Sequence, residues 1–195
     1  GELVQLIHRV QLERAPFAFR DVPGFPAAKR VGSGDTVTIA VAAFPNGHPR
    51  SRSMEQDIDT LLAKEAAGAN LAITQLFFEA DQYLSFEQKA REAGVTMRIL
   101  PGIMPVLSTA RLSRILELTD APAPVDLERR LASAADAPAQ ARVGVGFATA
   151  LGAQLLAGGA SGLHLYTFNQ HQSVLAVLHG VGILDAHGTR TKEPA

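Results

Sequence analysis

The sequence predicts an α/β fold in which parallel strands are joined by helices, and three observations carry that prediction. Four short segments are nearly continuous in apolar residues, the pattern of strands covered on both faces. Helical stretches with recognisable start and stop residues lie between them. The two kinds alternate along the chain, so successive strands run parallel through right-handed crossovers.

The opening residues, GELVQLIHRV, read as an amphipathic helix. A Pro/Gly-rich stretch from Ala15 to Gly34 then makes 15–35 a loop, expected to be mobile. The first strand is Val37 to Phe44 (VTIAVAAF). Ser53 and Gln56 form a capping box for the next helix, with Ile58, Leu61, Leu62 and Ala66 as its apolar stripe and Gly68 as its C-cap. A second strand, Asn70 to Phe78 (NLAITQLFF), leads to a helix from Asp81 to Ala93 with Gly94 behind it. The third strand, Thr96 to Ile103 (TMRILPGI), precedes a helix over Ser108 to Leu118. An extra helical insert spans about Val125 to Ala134, and a longer helix runs from about Pro138 to Ala157, closed by Gly158 and Gly159. The fourth strand, Gly162 to Phe168 (GLHLYTF), and a last helix from Gln172 to Gly180 complete the order.

Four strands make either a small open sheet or half of a (β/α)₈ barrel. A whole barrel needs about 250 residues, more than the 195 present. Residues 1–185 are expected to form one unit and 186–195 a tail. The chain opens without Met and inside a helix, which suggests that residues upstream are missing.

Composition narrows the function classes. Hydrophobic residues make 47% and charged residues 19% of the chain, a balance that supports a packed core. A net charge of −1 gives no global field toward nucleic acid or an anionic membrane. No apolar run is long enough to span a bilayer. The absence of Cys excludes a disulfide scaffold and a thiolate metal site. No histidine has a second histidine or a carboxylate at metal-ligand spacing, so no metal is expected. Cytoplasmic is the default location.

Candidate functional residues fall where strands end. The loop Phe44-Pro45-Asn46-Gly47-His48-Pro49 follows the first strand and enters a helix N-terminus, a position that favours ligands and anions. On that helix Asp57 and Lys64 are seven residues apart and share a face, with Thr60 and Leu61 between them. His48, Asp57 and Lys64 can line one polar edge, or be a surface loop and a solvated helix face. Gln75 interrupts an apolar strand, and its amide must find partners in the core or on a planar heteroaromatic ligand. Tyr166 and Asn169 stand at the end of the last strand. His164 shares the face of Tyr166, and a lone strand histidine is more often a core residue than a catalyst. Pro101 and Pro105 stiffen the turn around ILPGIMPV. A nucleophile elbow, a Walker-type loop and a Gly-rich dinucleotide fingerprint are all absent.

Taken together and in order, AAFPNGHP, the helix with Asp57 and Lys64, AGANLAITQLFF, ILPGIMPV and LHLYTFNQ resemble methylenetetrahydrofolate reductase, from Glu2 to about Leu184. The resemblance implies a (β/α)₈ barrel of which this chain supplies about the last four β/α units, beginning in the helix after the fourth strand. It implies FAD as cofactor, NADH or NADPH as reductant, and reduction of 5,10-methylenetetrahydrofolate to 5-methyltetrahydrofolate in one-carbon and methionine metabolism. It also implies a homo-oligomer, with a folate as the substrate partner. By the same resemblance Ala42, Phe44, His48, Asp57, Thr60 and Lys64 would contact FAD, and Gln75, Tyr166 and Gln170 the substrate. No catalytic residue is expected in this chain, because the general acid of the family lies in its amino-terminal strands.

Several positions depart from the family pattern. Phe44 stands where a tyrosine is common, and Thr60 and Ala63 where Asn and Arg are. Arg111 and Ile115 replace the usual Gln and Phe, and Gln170 replaces an Arg. Weakened FAD retention is the expected consequence. A rival expectation is a catalytically incomplete half-barrel that only binds nucleotide or self-associates through its strand edges.

Overall fold

The computed structural model describes residues 1–13, 37–119, 121–185 and 189. The loop expected at 15–35, and nearly all of the tail expected at 186–195, lie outside the described residues.

The described chain is a mixed α/β fold with parallel strands. Its elements are α1 (Glu2–Glu13), β1 (Ala40–Ala43), α2 (Met54–Ala66), β2 (Leu71–Thr74), α3 (Ala80–Glu92), β3 (Arg98–Leu100), β4 (Gly102–Ile103), α4 (Thr109–Thr119), α5 (Val125–Ala132), α6 (Ala137–Ala157), β5 (His164–Leu165) and α7 (His171–Gly180). β1, β2 and β3 form a parallel sheet in that order, and β4 pairs in parallel with β5.

The third expected strand is therefore two. Pro101 has no N–H to give a ladder and separates β3, which pairs with β2, from β4, which pairs with β5. The break is bridged on both sides. The Pro101 carbonyl accepts from His164 N (2.9 Å), and Gly102 N donates to the buried Thr74 Oγ1 (2.8 Å).

The other strands are shorter than the apolar runs that announced them. Leu76, Phe77 and Phe78 continue the run past β2, but they are buried beyond the strand, and Leu76 and Phe78 pack with Met104, Val106, Leu112, Ile115, Leu127 and Leu131. That second cluster anchors α5, whose Leu127 and Leu131 are fully buried one turn apart. The main cluster joins Val41, Ala43, Ala72 and Ile99 of the sheet to Ile58 and Leu61 of α2 and Tyr83, Phe86 and Ala90 of α3. Both faces were expected to be covered, and one is not. Ala40 and Ala42 are exposed, while Leu71, Ile73 and Leu100, which share their face, are half-buried.

Helix ends follow local chemistry. Ser53 accepts from Gln56 N (3.4 Å), but the Gln56 side chain accepts from Arg52 N rather than from Ser53, so the expected capping box is only half formed. A reciprocal box forms instead between Glu79 and Gln82 at α3. The C-cap of α2 is Ala67, and Gly68 follows it at φ +110°, the left-handed position that glycine takes at no steric cost. α1 docks through Val4, while Leu3 and Leu6 are exposed.

Candidate functional site

The strands are parallel, so the segments after β1, β2, β4 and β5 gather at one end. All six residues expected to contact a cofactor line one cleft there, of about 430 Å³: Ala42, Phe44, His48, Asp57, Thr60 and Lys64. A smaller cavity of about 210 Å³ shares Phe44 and His48 with it and adds Gln75.

Asp57, in the first turn of α2, organises the loop before it. Its Oδ2 accepts from His48 N (2.8 Å) and its Oδ1 from the Ser51 hydroxyl. Each carboxylate oxygen is thus committed to the loop and retains one lone pair for a further donor. His48 Nδ1 accepts from Arg50 N (3.0 Å), which places the hydrogen of the neutral ring on Nε2. The ring meets Phe44 edge-on, with centroids 4.6 Å apart.

Lys64 lies in the last turn of α2 and reaches back along β1 to donate Nζ to the Ala42 carbonyl (2.9 Å). Burial lowers its pKa, and the charge of Asp57 partly opposes that shift. Among the described residues no carboxylate lies within ion-pair distance of it, and a half-desolvated ammonium in that state is suited to meet an anion. Thr60 contributes less than its position suggested. Its hydroxyl donates to Gln56 O, one turn earlier in its own helix (2.8 Å).

Gln75 is half-buried just beyond β2. Its Oε1 accepts from Leu76 N (2.9 Å), and among the described residues its Nε2 has no protein partner. Tyr166 donates its hydroxyl to the carbonyl of Thr74, the residue before Gln75 (3.0 Å). Burial raises the Tyr166 pKa, so the phenol stays protonated and a donor. His164 does share its face, with the two rings edge-on at 4.7 Å. Gln170 is exposed at the N-cap of α7, and its side chain makes no capping bond.

Two residues that organise this end escaped the sequence reading. Thr74 is fully buried and receives Gly102 N on its hydroxyl and Tyr166 OH on its carbonyl, tying β2 to β4 and β5. The signal was a lone hydroxyl in an apolar run. Gly102 matters for the space it leaves. A Cβ there would stand 2.4 Å from Thr74 O and 2.8 Å from the Tyr166 ring. Among the described residues no group of three His, Asp or Glu could hold a metal ion, and no helix is long and apolar enough to cross a membrane.

A family model described as Methylenetetrahydrofolate reductase matches residues 28–182. The chain is 36% identical over 159 residues to the "Probable methylenetetrahydrofolate reductase (NADPH)" of Caenorhabditis elegans, covering 80% of this chain and 24% of that protein. It is 33% identical over 162 residues to "Methylenetetrahydrofolate reductase (NADH) 1" of Arabidopsis thaliana, covering 78% and 27%. With the "5,10-methylenetetrahydrofolate reductase" of Escherichia coli (strain K12) it shares 33% identity over 146 residues, 74% of this chain and 49% of that one. The chain thus spans about a quarter to a half of the length of these relatives.

Proposed function

This chain belongs to the methylenetetrahydrofolate reductase family, and from that premise we propose that it is the carboxy-terminal half of a (β/α)₈ reductase barrel. In this reading the barrel binds FAD and reduces 5,10-methylenetetrahydrofolate to 5-methyltetrahydrofolate with NADH or NADPH. The observation that carries it is the convergence of Ala42, Phe44, His48, Asp57, Thr60 and Lys64 on one cleft, with Gln75 in the cavity that abuts it. The half-open apolar face of Ala40, Ala42, Leu71, Ile73 and Leu100 suits a barrel interior continued by further strands.

The donor set fits a dinucleotide cofactor. Lys64 supplies a partly desolvated cation for a diphosphate, and His48 offers Nε2–H. Asp57 holds the loop that carries His48 and keeps lone pairs for sugar hydroxyls. When bound, FAD supplies the hydride chemistry between nicotinamide and folate. Gln75 brings a free amide N–H to the planar, heteroatom-edged ring of the folate, beside its own Oε1 acceptor. Tyr166 is held at the end of β2 by Thr74, where its ring offers a flat apolar surface. None of these residues is assigned the proton donation that opens the methylene bridge. In this proposal that general acid comes from the amino-terminal half of the barrel.

The test is purification of the complete polypeptide that carries these residues. It is expected to show a flavin absorbance spectrum and to oxidise NADH or NADPH with 5,10-methylenetetrahydrofolate, yielding the 5-methyl product by chromatography. A folded protein supplied with FAD that forms no 5-methyl product sinks the proposal.

A further inference from the structure

Three arginines converge on a groove that the site above does not use. It lies between α5 and the start of α6, holds about 470 Å³, and shares no residue with the two cavities of that site. Arg129 and Arg130 of α5 and Arg142 of α6 line it, together with Ser133, Ala139 and Val143. Among the described residues no carboxylate lines it.

Pairing and helix dipoles account for only part of this charge. Asp126 serves both α5 arginines, at 2.5 Å from Arg129 and 3.6 Å from Arg130. Those two also stand in the last turn of α5, where a cation suits the negative end of the dipole. Arg142 gains neither benefit. It is exposed in the second turn of α6, nearer the positive end of that helix, and among the described residues no carboxylate lies within ion-pair distance of it. Three guanidinium groups around one carboxylate repel one another, a cost that a bound anion removes.

The walls are fixed by packing. Leu127 and Leu131 are fully buried in the second cluster, against which Val143 packs, and Gln140 Nε2 donates to Leu131 O (3.2 Å) where α6 begins. The Ser133 hydroxyl donates to Arg129 O (2.8 Å), so it marks the end of α5 and leaves recognition to the arginines.

We propose that this groove binds a phosphate group carried on a small organic molecule. Phosphate oxygens accept guanidinium N–H donors in pairs, and a dianion matches the two cations that Asp126 does not neutralise. Ala139 and Val143 give the carbon of an ester an apolar surface, which bare phosphate leaves unused. The inference goes beyond the reductase reading and does not rest on it.

The experiment titrates phenyl phosphate and inorganic phosphate into the complete polypeptide by calorimetry, with FAD at saturation and ionic strength held constant with chloride. Wild type is expected to bind both and to favour the ester by about threefold. Arg142→Gln is expected to weaken both roughly tenfold or more, whereas Arg142→Lys retains part of the affinity. Ser133→Glu sets a carboxylate among the three arginines and is expected to abolish binding of either probe. Both positions are exposed, and an unchanged urea midpoint separates a lost site from a lost fold. Failure of wild type to bind either probe, or equal affinity of wild type and Arg142→Gln, overturns the site. Equal affinity of wild type for the two probes overturns the organic portion of the ligand. A polypeptide that takes up no FAD still decides the question, because the comparison of wild type with Arg142→Gln does not involve the flavin.

Discussion

The two ends of the parallel strands use similar side chains and leave them in opposite states. At the amino ends polar groups are consumed by the backbone. Glu65 accepts from the amides of Thr96 (3.1 Å) and Met97 (2.7 Å), and Arg91 donates to the carbonyls of Val95 (2.9 Å) and Met97 (2.7 Å). Asn70 accepts from Ile39 N, and Arg98 donates to Ser161. At the carboxyl ends, among the described residues, Gln75 keeps an unpartnered Nε2 and Arg111 has no counter-ion, while Phe168 and Asn169 are left-handed. Lys64 and Glu65 make the contrast at a single peptide bond, since one reaches toward the cleft and the other seals the start of β3. Saturation, more than residue type, separates the end that stabilises from the end that is available to a ligand.

Openness of side chains is not looseness of backbone, and the largest expected effect tests that distinction. α6 crosses the segment after β4 at Gly144, where a Cβ would stand 1.8 Å from Val106 O. Val106 is buried and cannot give way without moving its neighbours. Gly144→Ala is therefore expected to cost about 3 kcal/mol, the upper range for overpacking. Denaturant unfolding reads it directly. A loss below about 1 kcal/mol would mean that the carboxyl-end loop is free to shift, and the comparison would then rest on mobility instead of saturation.

Exchanging the neighbours on α2 comes next. Lys64→Met keeps the apolar stem and removes the cation. It is expected to weaken flavin binding roughly tenfold or more while changing stability by under about 1 kcal/mol. Glu65→Gln should do the reverse, costing on the order of 1 kcal/mol after solvent screening with flavin affinity unchanged. The pH dependence of wild type sharpens this. Burial depresses the Lys64 pKa, so in the apoprotein its charged form is a cost to the fold. Between that depressed value and the unfolded one, about 10.4, the unfolded state binds more protons and stability rises with pH. Flavin affinity should fall over the same window as the ammonium is lost. Both curves moving together would remove Lys64 from the anion site.

Much of this division was legible in the sequence, for reasons that differ by residue. Asp57 and Lys64 were placed on one face by their spacing, and the cleft brings them together because helical periodicity is local. Gln75 was visible as an amide in an apolar run. α2 was found through Ser53 and Gly68, since start and stop signals are also local chemistry. Strand lengths were not. Leu76 and Phe78 are apolar because a second core needs them and Phe77 because the main core does, and hydropathy does not distinguish a sheet from a cluster beneath α4 and α5. Pro101 stood in plain view inside an expected strand, yet its effect depends on which partner lies on each side. Thr74 and the seal made by Glu65 depend on residues 28 to 92 positions away, which no short window contains.

The smallest effect concerns a residue that sits at the open end but behaves like the closed one. Thr60 lines the cleft, yet its hydroxyl is donated to Gln56 O within its own helix. A threonine in mid-helix has that acceptor always at hand, so a ligand must displace an existing bond to gain one of the same kind. Thr60→Asn replaces the short hydroxyl with a longer amide that carries two donors and an acceptor. Helix propensity differs little between the two, so stability should change by no more than about 0.5 kcal/mol. Flavin retention through dialysis, followed by absorbance, is expected to improve about threefold, as one neutral hydrogen bond allows. Retention unchanged by the amide would mean that position 60 faces no ligand atom, and that availability in this cleft ends with Lys64, His48 and Asp57.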